Sequence, residues 1–306
     1  MMNKIVFFNH FHKGDLHTHK EFIRHVQSEL PNVTFEYMHN NAAKLTAELS
    51  IPLIGTPEQL DKKEAFYLDE DALYINTWVG CNWDVFCKYG GINMNTLYEQ
   101  WEEIVAQIND VFETKIKLHS DKEQYLPRIA YNALNTTGVD NYVNSTIGVK
   151  KILFCNNVPQ SNQSFSSEMR EYILPFVEMY PDAHFICTNK FDTDGNKNIL
   201  FTGDIIGPTQ DGDLQEISYL STYCDIIVGK NSGPYVFCET YDNYMDENKT
   251  FLSFNTKHPD YEDIHETMSR DLIIKCSYTA IPIFNNQTLT DKDHENIMAA
   301  LNEALA

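Results

Sequence analysis

Four histidines and an aspartate crowd ten consecutive positions: His10, His12, Asp15, His17 and His19, with Lys13 and Gly14 among them. Imidazole and carboxylate suit zinc, manganese or iron. One reading is therefore a metal site, and with it a metal-dependent hydrolase built on His10, His12, Asp15 and His17. Spacing speaks against it, because His17 and His19 stand two apart and do not share a helix face. A second reading leaves the metal out and gives Asp15 a place of its own, as the N-cap of the helix that follows or as a general base.

A second group is Lys230-Asn231-Ser232-Gly233-Pro234. Gly233 lets the backbone turn, and Pro234 suits the first position of a helix. Free amides there, with the Ser232 hydroxyl, can hold an anion, and Lys230 can add charge. The plainer reading is an ordinary strand-to-helix turn. The polar run from Asn156 to Ser164 offers Ser161, Gln163 and Ser164 to phosphates or a ribose, or is simply a solvated loop. It holds no Lys or Arg, so compensating charge would come from Lys190 or Lys230. Trp78, Trp83 and Tyr89, with Asp84, present flat faces that suit sugar rings, and packing explains them equally well.

The elements that position these groups alternate. Lys4–Asn9 reads as a strand, Leu16–Leu30 as a helix stopped by Pro31, and Val33–Tyr37 as a second strand, the unit of a parallel sheet. Asn40–Leu49 is a short helix, Pro52–Glu64 a loop, Ala72–Asn76 a third strand. Asn93–Phe112 carries an apolar stripe at helical spacing, which core packing accounts for. Tyr125–Gly148 has little periodicity and many Asn, Thr and Gly residues, so the domain junction is placed there. A second series follows. Its strands are Lys151–Cys155, His184–Thr188, Asn198–Thr202, Asp225–Gly229, Thr250–Phe254 and Leu272–Lys275. Its helices are Ser166–Tyr180, Leu214–Tyr223, Pro234–Tyr244 and Tyr261–Arg270, with a last one over Asp291–Ala306. No internal repeat stands out. The fold class is α/β, with two doubly wound, Rossmann-like domains facing a cleft, over 1–148 and 149–290.

The 306 residues carry 44 acids against 23 bases, a net charge of −21. That disfavours nucleic acid as a partner, since phosphates are neutralised by clustered Lys and Arg. No apolar run approaches the ~20 residues that span a bilayer, and the first residues lack the long apolar core of a secretory signal. Seven cysteines with no CxxC pair read as buried thiols in a reducing compartment, which places the protein in the cytoplasm.

Two stretches carry a family resemblance. Asp213–Tyr241 resembles the C-terminal signature of the ADP-heptose:LPS heptosyltransferase family, roughly LxELxxLxxxADLVVGxDSGPxH. It matches at Leu214, Glu216, Leu220, Asp225, Val228, Gly229, Ser232, Gly233 and Pro234, and departs at Asn231, for the family's Asp, and Val236, for its His. Gly14-Asp15-Leu16-His17-Thr18 resembles the family's N-terminal GD(V/L)xHT. The resemblance implies the two-domain GT-B fold and a glycosyltransferase that is inverting and metal-independent. It implies no cofactor, only a nucleotide-diphospho-sugar as donor and a glycan or polysaccharide as acceptor. Asp15 becomes the base. The acceptor lies beside it, with His10, His12, Lys13, His17, Trp78 and Trp83 as contacts. Lys230, Asn231, Ser232, Gly233, Ser161 and Ser164 face the donor diphosphate, and Asp204, Ile205 and Lys190 the base and ribose. The final helix, 291–306, would cross back to the first domain. The same fold houses sugar-nucleotide epimerases and binders without catalysis, which Asn231, Val236 and the uncharged 156–164 turn would also fit.

Overall fold

The computed structural model describes residues 2–78, 81, 94–157, 169–209, 212–230, 233–256, 274–283 and 289–305, with the side chains of 94–96, 255–256, 280 and 282–283 left aside. The chain divides into two compact units, 1–128 with 270–273, and 129–269 with 274–306. The division falls earlier than the 148 expected from composition.

In the first unit, β1 (Lys4–Phe8) leads through α1 (Lys13–Glu29) to β2 (Thr34–Met38), then through α2 (Ala43–Glu48) to β3 (Phe66–Leu68) and β4 (Ala72–Asn76). The strand order is β2-β1-β4-β3. β1 pairs in parallel with both neighbours, Phe8 lying opposite Met38 and Asn76. β3 is antiparallel to β4, an edge strand just past the stretch read as loop and not expected from the sequence. Ile5, Val6, Phe7 and Phe8 are all buried, as expected of a central strand covered on both faces. α3 (Met94–Phe112) supplies one cover. Its Trp101 is fully buried and stacks on Phe22 of α1 with centroids 5.4 Å apart. Opposite, Lys20 of α1 and Glu48 of α2 form a buried ion pair at 3.3 Å.

The second unit opens with α4 (Thr137–Ser145), which lies in the stretch taken for a junction. Only Val139 of it is buried, so its apolar period is faint. Gly138 lets its backbone come close to another helix, since a Cβ there would lie 2.3 Å from the Ile205 carbonyl oxygen. Then come β5 (Lys151–Cys155), α5 (Arg170–Met179), β6 (His184–Cys187), β7 (Ile199–Phe201), α6 (Thr202–Ile206), α7 (Leu214–Ser221) and β8 (Ile226–Lys230). They are followed by α8 (Gly233–Cys238), α9 (Tyr241–Tyr244), β9 (Thr250–Thr256), β10 (Ser277–Ile283) and α10 (Asp291–Leu305). The stretch read as one helix over Pro234–Tyr244 is two, because Thr240 turns extended and its hydroxyl accepts the Asn243 amide hydrogen at 3.4 Å.

The six strands are all parallel, in the order β10-β9-β8-β5-β6-β7. Counted from β5, this is the doubly wound order 3-2-1-4-5-6 read from β7. The last described strand is Ser277–Ile283; of the strand read over Leu272–Lys275, the first two residues lie outside the described residues and the last two are not in a strand. β10 carries Pro282, which a central strand would reject and this edge strand accepts. α10 begins with a reciprocal cap, Thr290 N–H donating to Asp293 Oδ2 at 2.8 Å and Asp293 N–H to Thr290 Oγ1 at 3.2 Å. Its Ile297, Leu301 and Leu305 join the core of the second unit, so its apolar face is spent there. The helix read over Tyr261–Arg270 lies outside the described residues.

Candidate functional site

In a doubly wound sheet, ligands bind beyond the carboxyl ends of the strands, where the winding direction reverses. In the first unit that point lies between β1 and β4, in the second between β5 and β8.

At the first switch point the ladder runs one residue past each strand. Asn9 donates its amide to the Met38 carbonyl at 3.2 Å, and Thr77 to the Phe8 carbonyl at 2.9 Å. Asn9 is fully buried. Its Oδ1 accepts the amide hydrogens of Phe11, at 2.7 Å, and His12, at 3.3 Å, an Asx turn that swings the chain from strand into helix. Those two donors fix which way the side-chain amide faces. Its Nδ2 donates to Asp15 Oδ2 at 3.0 Å.

Asp15 is the third residue of α1, not its cap. His12 holds the cap position with extended backbone, φ −125° and ψ 136°. The helix starts before Leu16 because the Asn9 turn has already brought the chain round. Burial pushes the Asp15 carboxyl up to about 7, and the Asn9 hydrogen bond pulls the other way. A carboxyl poised near neutrality is suited to proton transfer. The Asp15 carbonyl accepts the Thr18 hydroxyl at 2.8 Å and the His19 Nδ1 hydrogen at 2.7 Å, which assigns the His19 proton to Nδ1.

The histidines do not act as a group. His10 packs edge-on to Phe8, centroids 5.9 Å apart, and burial lowers its pKa. His12 is half-buried and lowered for the same reason. His17 is only 1% exposed, because α1 is covered almost all round, and this enclosure removes it from the acceptor contacts expected of it. Among the described residues no three His, Cys, Asp or Glu side chains are placed to hold a metal ion, so the cluster that a hydrolase would need is not assembled.

His39 was not singled out from the sequence, yet it follows β2 at the same edge as Asn9 and Thr77. Its Nδ1 accepts the Asn41 amide hydrogen at 3.0 Å. Burial, then the nearby Lys13 and His12, lowers its pKa to about 4. Lys13, the first residue of α1, thus lies with His12 and His39 at this edge. Trp78 follows Thr77, its ring 4.6 Å from that of Phe11, and the Lys62 ammonium sits over Phe11 at 5.6 Å. Phe11, 38% exposed and set between two histidines of the candidate loop, joins this edge without having been given a role of its own from the sequence. Trp83, Asp84 and Tyr89 lie outside the described residues.

At the second switch point, β5 is followed by Asn156, also fully buried. Its Oδ1 accepts the Asn189 amide hydrogen at 2.8 Å, and its Nδ2 donates to the Asn189 carbonyl at 3.1 Å, clipping the ends of β5 and β6 together. Ser161, Gln163 and Ser164 lie outside the described residues, as do Asn231 and Ser232. Lys230 ends β8 and is wholly buried, so it presents no exposed charge at this edge. Gly233 begins α8 and Pro234 is its second residue. Gly229 has a packing reason: a Cβ there would stand 2.5 Å from Tyr235 Cδ2 and 2.8 Å from Cys155 Cβ.

Further along this edge, Lys190 follows β6 and Asp204 lies on α6. The two form an exposed ion pair at 2.6 Å, and the Lys190 ammonium also sits 5.7 Å from the centre of the Phe201 ring. Ile205, beside Asp204, is half-buried.

No family model matches the sequence, and no curated protein does. Solved structures do match in fold. A glycosyl transferase family 9 protein from Veillonella parvula is 10% identical, with 99% of this chain and 97% of that one covered and a TM-score of 0.52. The E. coli heptosyltransferase WaaC, solved with ADP-2-deoxy-2-fluoro heptose, is also 10% identical, with 99% and 100% covered and a TM-score of 0.52. The chain has the fold of these glycosyltransferases, the GT-B class of two Rossmann-like units. At this identity the likeness is one of fold.

Proposed function

We propose that the protein is a glycosyltransferase that moves a sugar from a nucleotide-diphospho-sugar to a glycan or polysaccharide acceptor. One observation carries the reading: Gly14–Thr18 lies in the first turns of the helix that leaves β1, and Asp213–Tyr241 runs through β8, so each motif stretch passes the switch point of its own sheet, where the fold opens its ligand edge. Asp15 takes the acceptor hydroxyl's proton as that oxygen bonds to the anomeric carbon. The bond from that carbon to the diphosphate oxygen breaks, and its electron pair leaves with the diphosphate. Attack opposite the leaving group inverts the centre. No metal takes part in this scheme. The turn of Asn231, Ser232 and Gly233, with Ser161 and Ser164, meets the growing charge on the leaving group, where such help counts most. Lys190, Asp204 and Ile205 face the base and ribose. His10, His12, Lys13, Phe11 and Trp78 line the acceptor side. The surplus of acids and the buried thiols fit a cytoplasmic enzyme with no nucleic-acid partner.

The test is a thermal-shift panel of ADP, GDP, UDP, dTDP and CMP and their common sugars, with and without EDTA, on wild type and Ser232→Trp. A ligand at 100 times its dissociation constant stabilises by roughly 2.7 kcal/mol. One nucleotide should raise the melting point, EDTA should leave it unchanged, and Ser232→Trp should abolish it. No response to any nucleotide, with EDTA alone lowering the melting point, overturns the reading. Binding without turnover in every pairing would instead identify a non-catalytic or epimerase-type binder of the same fold.

A further inference from the structure

Resting on the reading of Asp15 as the base, we infer that Asn9 is its positioning residue: a buried, orientation-locked amide that holds one carboxylate oxygen and leaves the other for the acceptor hydroxyl. The argument starts from counting hydrogen bonds. An asparagine side chain has one acceptor atom and two donor hydrogens. Oδ1 is committed to the Phe11 and His12 amides, so the side chain cannot flip without breaking both bonds. Nδ2 therefore always faces Asp15 Oδ2. Asn9 is itself anchored, because its backbone amide extends the β1–β2 ladder to Met38. One carboxylate oxygen of Asp15 is thus held from the end of a central strand.

The bond also has a sign. A donor to the charged form stabilises the carboxylate and opposes the effect of burial. Among the described residues, the other titratable groups that feel Asp15 are Tyr37, from β2, and Cys81, which follows β4. Burial holds both neutral: the Tyr37 hydroxyl, bonded to Thr77 at 2.7 Å, is pushed far up, and the Cys81 thiol up to about 12. On α1 itself, His19 meets only the backbone carbonyl of Asp15. Asn9 is then the group that tunes the carboxylate without titrating.

Two substitutions separate holding the turn from holding the base. Asn9→Ser keeps a hydroxyl that can accept the turn amides but is too short to reach Asp15. Asn9→Asp keeps the turn acceptor and sets a second carboxylate where the donor was. The readout is the titration of the Asp15 carboxyl carbon by NMR in protein labelled at aspartate, its signal assigned by Asp15→Asn. It needs no substrate. Asn9→Ser should raise the midpoint by about one pH unit or more, and Asn9→Asp further, through the like-charge pair. At acid pH, where these carboxyls are protonated, melting points should stay close to wild type, and they should fall below it as pH rises. An unmoved Asp15 titration in both folded variants overturns the inference. So does a shifted titration in which the acid limb of the transfer rate stays with wild type. If Asp15→Asn retains wild-type transfer, it is the base assignment that falls, which the two Asn9 variants would not have shown.

Discussion

Gly229→Ala is the sharpest test of how the second switch point is built. Position 229 is the fourth residue of a central strand and pairs with Cys155 of β5. An added methyl carbon would lie 2.5 Å from the Tyr235 ring and 2.8 Å from Cys155 Cβ. Carbon atoms rest at about 3.5–4.0 Å, so roughly an ångström must be found on two sides. Neither side is soft. Cys155 is fully buried in a strand held on both flanks, and Tyr235 is fully buried against Phe251, centroids 5.9 Å apart. Overpacking a core costs about 1–3 kcal/mol, and two fixed walls put this case near 3 kcal/mol. Urea unfolding followed by fluorescence reads the cost as a lowered midpoint at unchanged slope. Gly203→Ala is the control, since its methyl would meet nothing within 4 Å. Tyr235→Val on top of Gly229→Ala should recover part of the loss, because the larger clash is with the ring. A Gly229→Ala protein within ~0.5 kcal/mol of wild type, or a double variant with no recovery, would refute the reasoning.

Other outcomes follow from the same structure. The Asp15 carboxyl titrates near 7 when folded and near 3.8 when unfolded, so the folded state binds its proton more tightly, and stability is lost as pH rises through that window. Asp15→Asn should therefore abolish transfer and yet melt higher than wild type at pH 8, by ~1 kcal/mol after allowing for water near a half-buried residue. The gain should vanish at pH 4, and equal melting shifts at the two pH values would contradict it. Lys249 donates to the carbonyls of Ser221, Thr222 and Cys224 at 3.1, 2.8 and 2.7 Å, closing the end of α7. Lys249→Met strands these acceptors and should cost about 2–4 kcal/mol in urea unfolding. Lys190→Ala breaks an exposed ion pair and an exposed ammonium–ring contact with Phe201, so unfolding should change by less than ~1 kcal/mol. Nucleotide affinity should nevertheless fall about fivefold by calorimetry, for a loss of ~1 kcal/mol.

Strong apolar runs made much of the fold legible. Ala72–Asn76 and Lys151–Cys155 are strands over the residues their composition marks. The helix read over 93–112 is a helix over all of its described residues, Met94–Phe112. What escaped is what tertiary packing decides. α4 has one buried apolar residue and is held by a glycine's close approach to another backbone, which no periodicity records. β10 hid behind Pro282, whose cost depends on the strand being an edge. In the candidate site, Asp15 was legible because a motif named it. Asn9 and His39 were not, since their importance comes from ending neighbouring strands at one edge, and neighbours in a sheet are not neighbours in the chain.

Lys4-Ile5-Val6-Phe7-Phe8-Asn9 and Lys151-Ile152-Leu153-Phe154-Cys155-Asn156 hold the same place, the strand that opens each sheet and the residue just past it. The six-residue echo is too short to register as a repeat. In both, the asparagine is sealed from water. They differ in where the amide hydrogen goes. In the second unit both ends of the side chain meet the backbone of Asn189, with the Thr188 hydroxyl also donating to the oxygen, and it becomes a mechanical fastener between strands. In the first, the oxygen alone satisfies the backbone, and a hydrogen is left over to steer a carboxylate. Two halves built to one plan thereby put the same side chain to different uses: one ties two strand ends together, and the other bonds a carboxylate.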